Sequence, residues 1–467
     1  MRFEPPRGIA VVDAGYTNTK IALFSAAGQL VTERKIASRH VEGPPYRHID
    51  PEPMVALCRE VLPELDLILP VDAIVPCAHG AALACLDAEG QLALPVMDYT
   101  AEPPAAIVAG YRKIMPPFSE TFCALLPMAL THGLQLYWQQ RAFPVMFSTV
   151  TAVIPWIQYV GFVLSGVAVS EISSLSCQTH LLDTRTQQVS SLVKAQGWTH
   201  LFPAMAKAWA SIGTLRPEFR GPSFRGRAQV LAGVHDSNAN YLRYLCGGLG
   251  AFTLVSTGTW SISFDTSTTV GKLFEDRDTN TNTDVLGRIV ACSRFFGGRE
   301  FEIVARGAPA QATSLEKVAD LVWRGTLALP GFTDSGGPVP KSGGLGRIAG
   351  AAPVSEAERS SLAALYCALM VSEQLDAVSS RHDIIVDGPF ATNPVLLAVL
   401  AQLRPAQRVL ASELRDGTTA GAACLALTDD GKLPRIALKL VPVAAAAIPG
   451  LGSYYATWKK KAYAHLG

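Results

Sequence analysis

Apolar and polar positions fall into short blocks at the start of the chain. Ile9-Ala-Val-Val12 is a continuous apolar run, the pattern of a strand buried on both faces. Asp13-Ala14-Gly15-Tyr16-Thr17-Asn18 then reads as a turn, Thr19 to Phe24 resumes the strand pattern, and Leu30 to Ile36 follows a second turn at Ala27-Gly28. Three short strands joined by tight turns predict an antiparallel meander. A similar unit recurs past the middle: Ala251 to Ser256 is strand-like, Thr257-Gly258-Thr259 is the turn, and Trp260 to Phe264 returns. Both turns are small, hydroxylated and built around a glycine. Two copies of one unit, about half a chain apart, predict a duplicated architecture with a boundary near Cys246-Gly247-Gly248. Farther on, the Gly- and Pro-rich residues 331–350 predict a loop, Ser355 to Val378 has helical periodicity, and Asp383 to Val386 is another apolar strand.

A length of 467 residues supports the same division, because it exceeds what one hydrophobic core usually holds. The expected domains are 1–245 and 246–467. With 49% hydrophobic and 17% charged residues, the composition is that of a well-packed globular protein. A net charge of +1 and the lack of any basic stripe give no reason to expect nucleic acid or an anionic membrane as a partner. Nine cysteines at scattered spacings, without a CxxC pair, predict reduced thiols in a cytoplasmic protein. Residues 1–7 show no export signal. The stretch Ala142 to Ser170 contains no charge, yet Pro144, Pro155 and Gly166 interrupt it, so it reads as buried strand or helix plus loop rather than a membrane span.

Four segments carry candidate chemistry. In Asp13-Ala-Gly-Tyr-Thr-Asn-Thr-Lys20, a glycine-bearing hairpin can offer backbone N–H groups and hydroxyls to phosphate oxygens, and Asp13 can hold Mg²⁺ through water. An ordinary hairpin would use the same turn residues. Ser256-Thr-Gly-Thr-Trp260 has similar equipment for a second phosphate clamp. In Gly233-Val-His-Asp236, a carboxylate just before the expected boundary suits a base for an attacking hydroxyl; it could equally cap a helix starting near Ser237. Last, Asp387-Gly388-Pro-Phe-Ala-Thr-Asn393-Pro394 and Asp416-Gly417-Thr-Thr-Ala-Gly421 place glycines at strand-to-helix turns, where a flat ring can approach the backbone; helix-start chemistry at Asn393-Pro394 is the plainer reading.

In this order, over nearly the whole chain, the segments resemble the FGGY family of carbohydrate kinases. The resemblance implies an α/β fold of two duplicated domains like those of actin, hexokinase and the Hsp70 ATPase (ribonuclease H-like), with an active-site cleft between domains, and ATP and Mg²⁺ as donor and cofactor. It implies Asp13, Thr17, Asn18 and Lys20 near the phosphates, with Asp13 toward the metal. It further implies Thr257, Gly258 and Thr259 at the phosphates, Asp236 as general base, and Gly388, Asn393 and Gly417 near the nucleotide. The Ile154-Pro155-Trp to Gly166 stretch and Glu171 look like the family's buried helix, loop and acidic continuation. Two positions depart from the pattern. Gln135 stands where the family has a Lys before Trp138, and Asp387-Gly388 replaces a Gly-Gly pair.

His79-Gly80, Leu94-Pro-Val-Met-Asp98-Tyr99, Cys177-Gln178-Thr-His180, Phe296-Gly-Gly-Arg299-Glu300, and Gly336-Gly-Pro to Gly346-Arg347 are similar to the fuculokinase and rhamnulokinase branch. That resemblance implies a 6-deoxy-ketohexose such as L-fuculose or L-rhamnulose as substrate. A polyol site needs convergent hydrogen-bonding groups, and His79, Gly80, Asp98, Gln178 and His180 are suitable in type, though each also suits a structural role. His79-Gly80 is also similar to the Met-His-Gly of xylulokinases, which keeps a pentulose open. The other readings are a polyol kinase of the same family and a non-catalytic ATP-binding sensor. Sugar and ATP are the expected partners, and a homodimer is compatible with the sequence.

Overall fold

The computed structural model describes residues 4–334, 337–413 and 417–466. They form two compact units: residues 4–248, 281–289 and 417–437 in one, and 249–280, 290–413 and 438–466 in the other. The chain therefore returns twice to the first unit. Asp416 and Gly336, both within quoted motifs, lie outside the described residues.

The first unit is built on a mixed sheet in the order Ser211–Thr214, Gln229–Leu231, Val71–Ala78, Gly8–Ala14, Asn18–Ser25, Leu30–Ala37. The last three strands are the expected meander, with Asp13 opposite Lys20 across the first hairpin. Side chains of the first strand alternate between two cores. Ala10, Val12 and Ala14 face the cluster formed with the helices Glu52–Ile68 and Trp156–Ser165. Ile9 and Val11 face the other, formed with the helices Asp236–Cys246 and Gly417–Ala426. Burial on both sides is why the strand reads as an unbroken apolar run. The uncharged stretch resolves into a short helix Pro144–Phe147, a strand Ala152–Pro155 and a buried helix Trp156–Ser165, ended by Gly166 at φ +79°. Among the described residues no helix is long and apolar enough to cross a membrane.

The second unit repeats the pattern. Its sheet runs Leu440–Pro442, Val409–Ser412, Asp383–Asp387, Phe252–Thr257, Ser261–Asp265, Ile289–Phe295. In both sheets, read in these orders, the pairings are antiparallel, parallel, parallel, antiparallel, antiparallel. The strand ends Asp13 and Ser256–Thr257 are thus topological equivalents, as are Ala78-His79-Gly80 and Asp387-Gly388. The helix Glu356–Ala377 starts at a capping box, Ser355 with Glu358. It is buried along most of its length, so it packs as a core helix rather than an amphipathic one.

Candidate active site

In the first unit, antiparallel register sends the Asp13 and Lys20 side chains off one face of the hairpin. The Lys20 ammonium also lies 3.9 Å from Glu33. Thr17, at the tip, is exposed, and Asn18 opens the second strand half-buried. The turn is tied down from behind. Ser38 donates its hydroxyl to Gly15 O at 2.8 Å, and His40 Nε2 meets Tyr16 O at 2.8 Å. His40 Nδ1 in turn sits 2.7 Å from Asp98 Oδ2, which also accepts from Arg47 Nε at 3.1 Å. Asp98 Oδ1 takes the backbone N–H and the hydroxyl of Thr100. Burial pushes the Asp98 carboxyl up, but the Thr100 hydrogen bonds and His40 outweigh it and hold the group below its ordinary range. The expectation that Asp98 touches sugar is therefore corrected: it is fully buried with both oxygens engaged, and it braces the hairpin turn.

His79 follows the strand beside that hairpin. Its N–H reaches Ala14 O at 3.4 Å, and Nδ1 donates to Gly80 O at 2.6 Å. The rings of Tyr16 and Tyr99 lie 5.9 and 5.6 Å from it, edge-on. Gly80 is needed for a close approach, since a Cβ there would stand 2.4 Å from His235 Nε2. His235 precedes the helix Asp236–Cys246 at its N-cap without a side-chain cap bond, so Asp236 is the first helical residue and not the cap expected as its plainer role. Asp236 Oδ1 accepts from Ser237 N and Oγ and lies 3.5 Å from His235 Nε2; Oδ2 accepts from none of the described residues. Its side chain is 35% exposed, which leaves an accessible carboxylate at a helix N-terminus.

Two histidines escaped sequence reasoning. His235 stood inside the quoted Gly233–Asp236 segment, a usable signal. His132, the first residue of the helix His132–Ala142, had none. It is 1% exposed, and its Nδ1 has no partner among the described residues, as is true of His235 Nδ1. Burial lowers the His132 imidazole to about 3, helped by the neighbouring His235 and His79. Burial also lowers His79 and His235, against the pull of Asp236. All three rings are neutral near pH 7. Gln135, the departure from the family's Lys, is buried and donates Nε2 to Ala81 O at 2.7 Å, so it anchors the turn after His79-Gly80.

The remaining candidates of this unit sit elsewhere. Half-buried Gln178 lies beside the His132 helix, where Thr179 O accepts from Gly133 N at 2.8 Å. His180 is a correction. Its Nδ1 meets Tyr111 OH and its Nε2 meets Cys123 O, both at 2.9 Å, and the ring stacks on Tyr111. With both nitrogens engaged and 1% exposure, it belongs to the packing there. Gly417 begins a helix packed on the Asp236–Cys246 helix, so it belongs to the first unit and not to the second, where the nucleotide elements were expected.

In the second unit, Gly258, Thr259 and Asn393 line one pocket of about 990 Å³, together with Arg299, Glu302 and Thr313 among others. Asn393 also caps the helix Pro394–Leu403, accepting from Leu396 N at 3.0 Å, so the plainer reading holds and the residue still faces the pocket. Gly388 sits beside it at φ +82°, and a Cβ there would fall 1.9 Å from Thr257 O. The Thr257 hydroxyl donates to Asp387 O and accepts from Phe390 N, so it clamps the hairpin to the Asp387-Gly388 turn. Trp260 stacks on Phe296 with centroids 4.2 Å apart. Glu300, 1% exposed, holds Tyr366 OH and Thr333.

The volume and mixed lining suit a nucleoside. For Mg²⁺, Asp13 offers a half-buried carboxylate at a strand end beside a turn. Among the described residues no three His, Cys, Asp or Glu side chains gather as a metal cage; one carboxylate plus phosphate oxygens is the usual way Mg²⁺ is held.

Comparison with known proteins places these features in context. The C-terminal domain of FGGY carbohydrate kinases matches residues 249–434. A solved carbohydrate kinase from Novosphingobium aromaticivorans is 32% identical, with all of both chains covered and a TM-score of 0.88. The xylulose kinase of Rhodospirillum rubrum is similar at 18% identity and a TM-score of 0.78, over 98% of this chain and 99% of its own. The glycerol kinase of Plasmodium falciparum, solved with ADP, is similar at 14% identity and a TM-score of 0.77 over both full chains. At these lower identities the likeness is one of fold. No curated protein matches the sequence.

Proposed function

Because the chain belongs to the FGGY carbohydrate kinase family, we propose that it transfers the γ-phosphoryl group of ATP to a hydroxyl of a ketose, with Asp236 as general base. The observation that carries this reading is the Asp236 carboxylate, one oxygen fixed by Ser237 and the other unengaged, at the end of a helix and among neutral imidazoles. Oδ2 would accept the proton of the attacking hydroxyl, and the helix N-terminus would favour the carboxylate before transfer. His79 and His235 would hydrogen-bond neighbouring hydroxyls as neutral groups. The pocket around Gly258, Thr259 and Asn393 would take the adenosine. Thr17, Asn18 and Lys20 would face phosphate oxygens from the first hairpin, and Thr259 with the Gly258 backbone from the second. Mg²⁺, when bound through Asp13, would neutralise phosphate charge.

Neutral rings at His79, His132 and His235 supply no positive charge for a carboxylate, which favours a neutral sugar over a sugar acid. Within neutral ketoses, the finer proposal is a 6-deoxy-ketohexose, L-fuculose or L-rhamnulose, with D-xylulose as the competitor. An ATP-coupled assay over L-fuculose, L-rhamnulose, D-xylulose, glycerol and D-gluconate decides it. Ketose kcat/KM should exceed that for gluconate by about 100-fold, the order expected when a missing charge partner leaves a buried polar group unmatched. Best turnover on gluconate would overturn the acceptor class, and best turnover on D-xylulose the 6-deoxy assignment.

A further inference from the structure

Glu300, which ends the Phe296-Gly-Gly-Arg299-Glu300 motif, is a buried carboxylate that the phosphoryl transfer above does not use. It lies in the first turn of the helix Gly297–Ala305, whose Gly298, Arg299, Phe301 and Glu302 form one wall of the pocket of about 990 Å³. Successive helical positions turn by about 100°, so Glu300 points about 160° away from Gly298 and Glu302, into the protein behind that wall. There one oxygen accepts from the Thr333 hydroxyl at 2.8 Å and from Thr333 N at 3.3 Å, and the other accepts from Tyr366 OH. Thr333 belongs to the loop 331–350, and Tyr366 to the core helix Glu356–Ala377. Burying a carboxylate is unfavourable unless its oxygens are matched in this way.

One side chain thus joins three segments that lie up to 66 residues apart. On its other side the same helix meets the second hairpin. Gly298 N donates to Thr259 O at 3.2 Å, and a Cβ at Gly298 would overlap Gly258 O. A shift of this helix would move the pocket wall and the Gly258-Thr259 turn together. We propose that Glu300 is a positioning residue for the donor nucleotide, given adenosine in that pocket as proposed above: by tying the helix to Thr333 and Tyr366, it holds Gly298 and Glu302 in place against the nucleotide.

The test uses the full chain, with ADP binding followed by titration calorimetry and steady-state kinetics run on both substrates. Glu300→Ala should weaken ADP about tenfold and Tyr366→Phe about threefold, within what a displacement of about 1 Å produces. Apparent KM for ATP should rise in step, while kcat and the KM for the ketose stay within about twofold. Burial raises the Glu300 carboxyl above its ordinary range, against the Tyr366 and Thr333 hydrogen bonds. Glu300→Gln, a neutral group of the same shape, should therefore restore ADP affinity to within about twofold, since its amide can serve both partners. Tyr455→Phe is the control. That hydroxyl meets Glu373 at 2.6 Å on the same core helix, and neither residue lines the pocket, so the change should lower the melting temperature and leave ADP binding unchanged. If Glu300→Ala does not fold, Tyr366→Phe, which removes one hydroxyl, decides the matter. Native ADP affinity in a folded Glu300→Ala or Tyr366→Phe, no rescue by Glu300→Gln, a matching rise in ketose KM, or an equal loss in Tyr455→Phe would each overturn the proposal. Ala310→Trp, which sets an indole into the pocket, should abolish ADP binding. Native affinity in that variant would move the nucleotide elsewhere and remove both readings, whereas its loss beside native affinity in the Glu300 and Tyr366 variants would remove only the role of Glu300.

Discussion

The two sheets repeat one topology, yet the equivalent turns are finished with different chemistry. In the first unit the leading strand ends in the carboxylate of Asp13, and the adjacent parallel strand ends in His79-Gly80, packed on His235. In the second unit the leading strand ends in hydroxyls, Ser256 and Thr257, and its parallel neighbour ends in Asp387-Gly388, where backbone meets backbone. Each junction needs a glycine for a different reason: Gly80 makes room for a side chain, whereas Gly388 makes room for a carbonyl and adopts a left-handed φ. The same fold thus yields one turn furnished with titratable groups and one turn furnished mainly with backbone. Buried histidines follow the division. His79, His132, His180 and His235 all lie in the first unit.

The strongest way to break this comparison is at the glycines. Gly388→Ala would place a Cβ 1.9 Å from a carbonyl oxygen in a region of φ that only glycine adopts readily. We expect a loss of about 3 kcal/mol, read as a lowered melting temperature, with nucleotide affinity falling alongside. Gly80→Ala meets a side chain first, the His235 ring, rather than a carbonyl, so it should lose activity with a smaller stability change. Equal stability losses at both positions would remove the distinction.

The pH dependence of stability sharpens it further. His132 is held neutral in the fold, titrating at about 3, whereas unfolded histidine titrates near 6.5. Below about pH 6.5 the unfolded chain therefore binds the extra proton first, so stability is full above that value and falls as pH drops toward the folded one. At 1.36 kcal/mol per pH unit, the loss from pH 7 to pH 5 is roughly 2 kcal/mol for this residue alone. Denaturant titrations of His132→Gln should show a flatter profile across that window than the wild type. An unchanged slope would mean that the ring is not buried as described.

The threonines give the smallest contrast. Thr257→Val leaves Asp387 O and Phe390 N without the hydroxyl and should cost about 1–2 kcal/mol. Thr17→Val, at an exposed tip, should stay within about 0.5 kcal/mol and act on the apparent KM for ATP instead. Urea unfolding paired with ATP titration separates the two, and a reversed pattern would exchange their assigned roles.

Much of this was legible in the sequence because it rests on local pattern. The unbroken run Ile9–Val12 announced a strand buried on both faces, the periodicity from Ser355 to Val378 announced a helix, and the paired glycine turns announced the duplication. Family likeness carried the rest to Asp13, Asp236 and the Gly258 turn. What stayed hidden depends on contacts distant in sequence. Asp98 and His180 have the residue types of a sugar site, but only their partners, His40 and Arg47 in one case and Tyr111 and Cys123 in the other, reveal that their atoms are already engaged. The Thr257 clamp was hidden for the same reason: its partners at Asp387 and Phe390 are about 130 residues away. His132 follows no motif, and no periodicity marks the return of residues 417–437 to the first unit.

The central claim is that Asp236, beside the His235 that packs on the furnished turn of the first unit, is the base, and Asp236→Asn tests it most directly. Asparagine preserves size and can still accept from Ser237 through its carbonyl oxygen, but it cannot take the proton of the attacking hydroxyl. Single-turnover transfer to the best ketose should fall about 10²–10⁴-fold, equivalent to roughly 3–5 kcal/mol of barrier. Sugar binding and melting temperature, measured on the same protein, should remain close to wild type. A variant that transfers phosphate at the native rate would contradict the account and move the base away from Asp236.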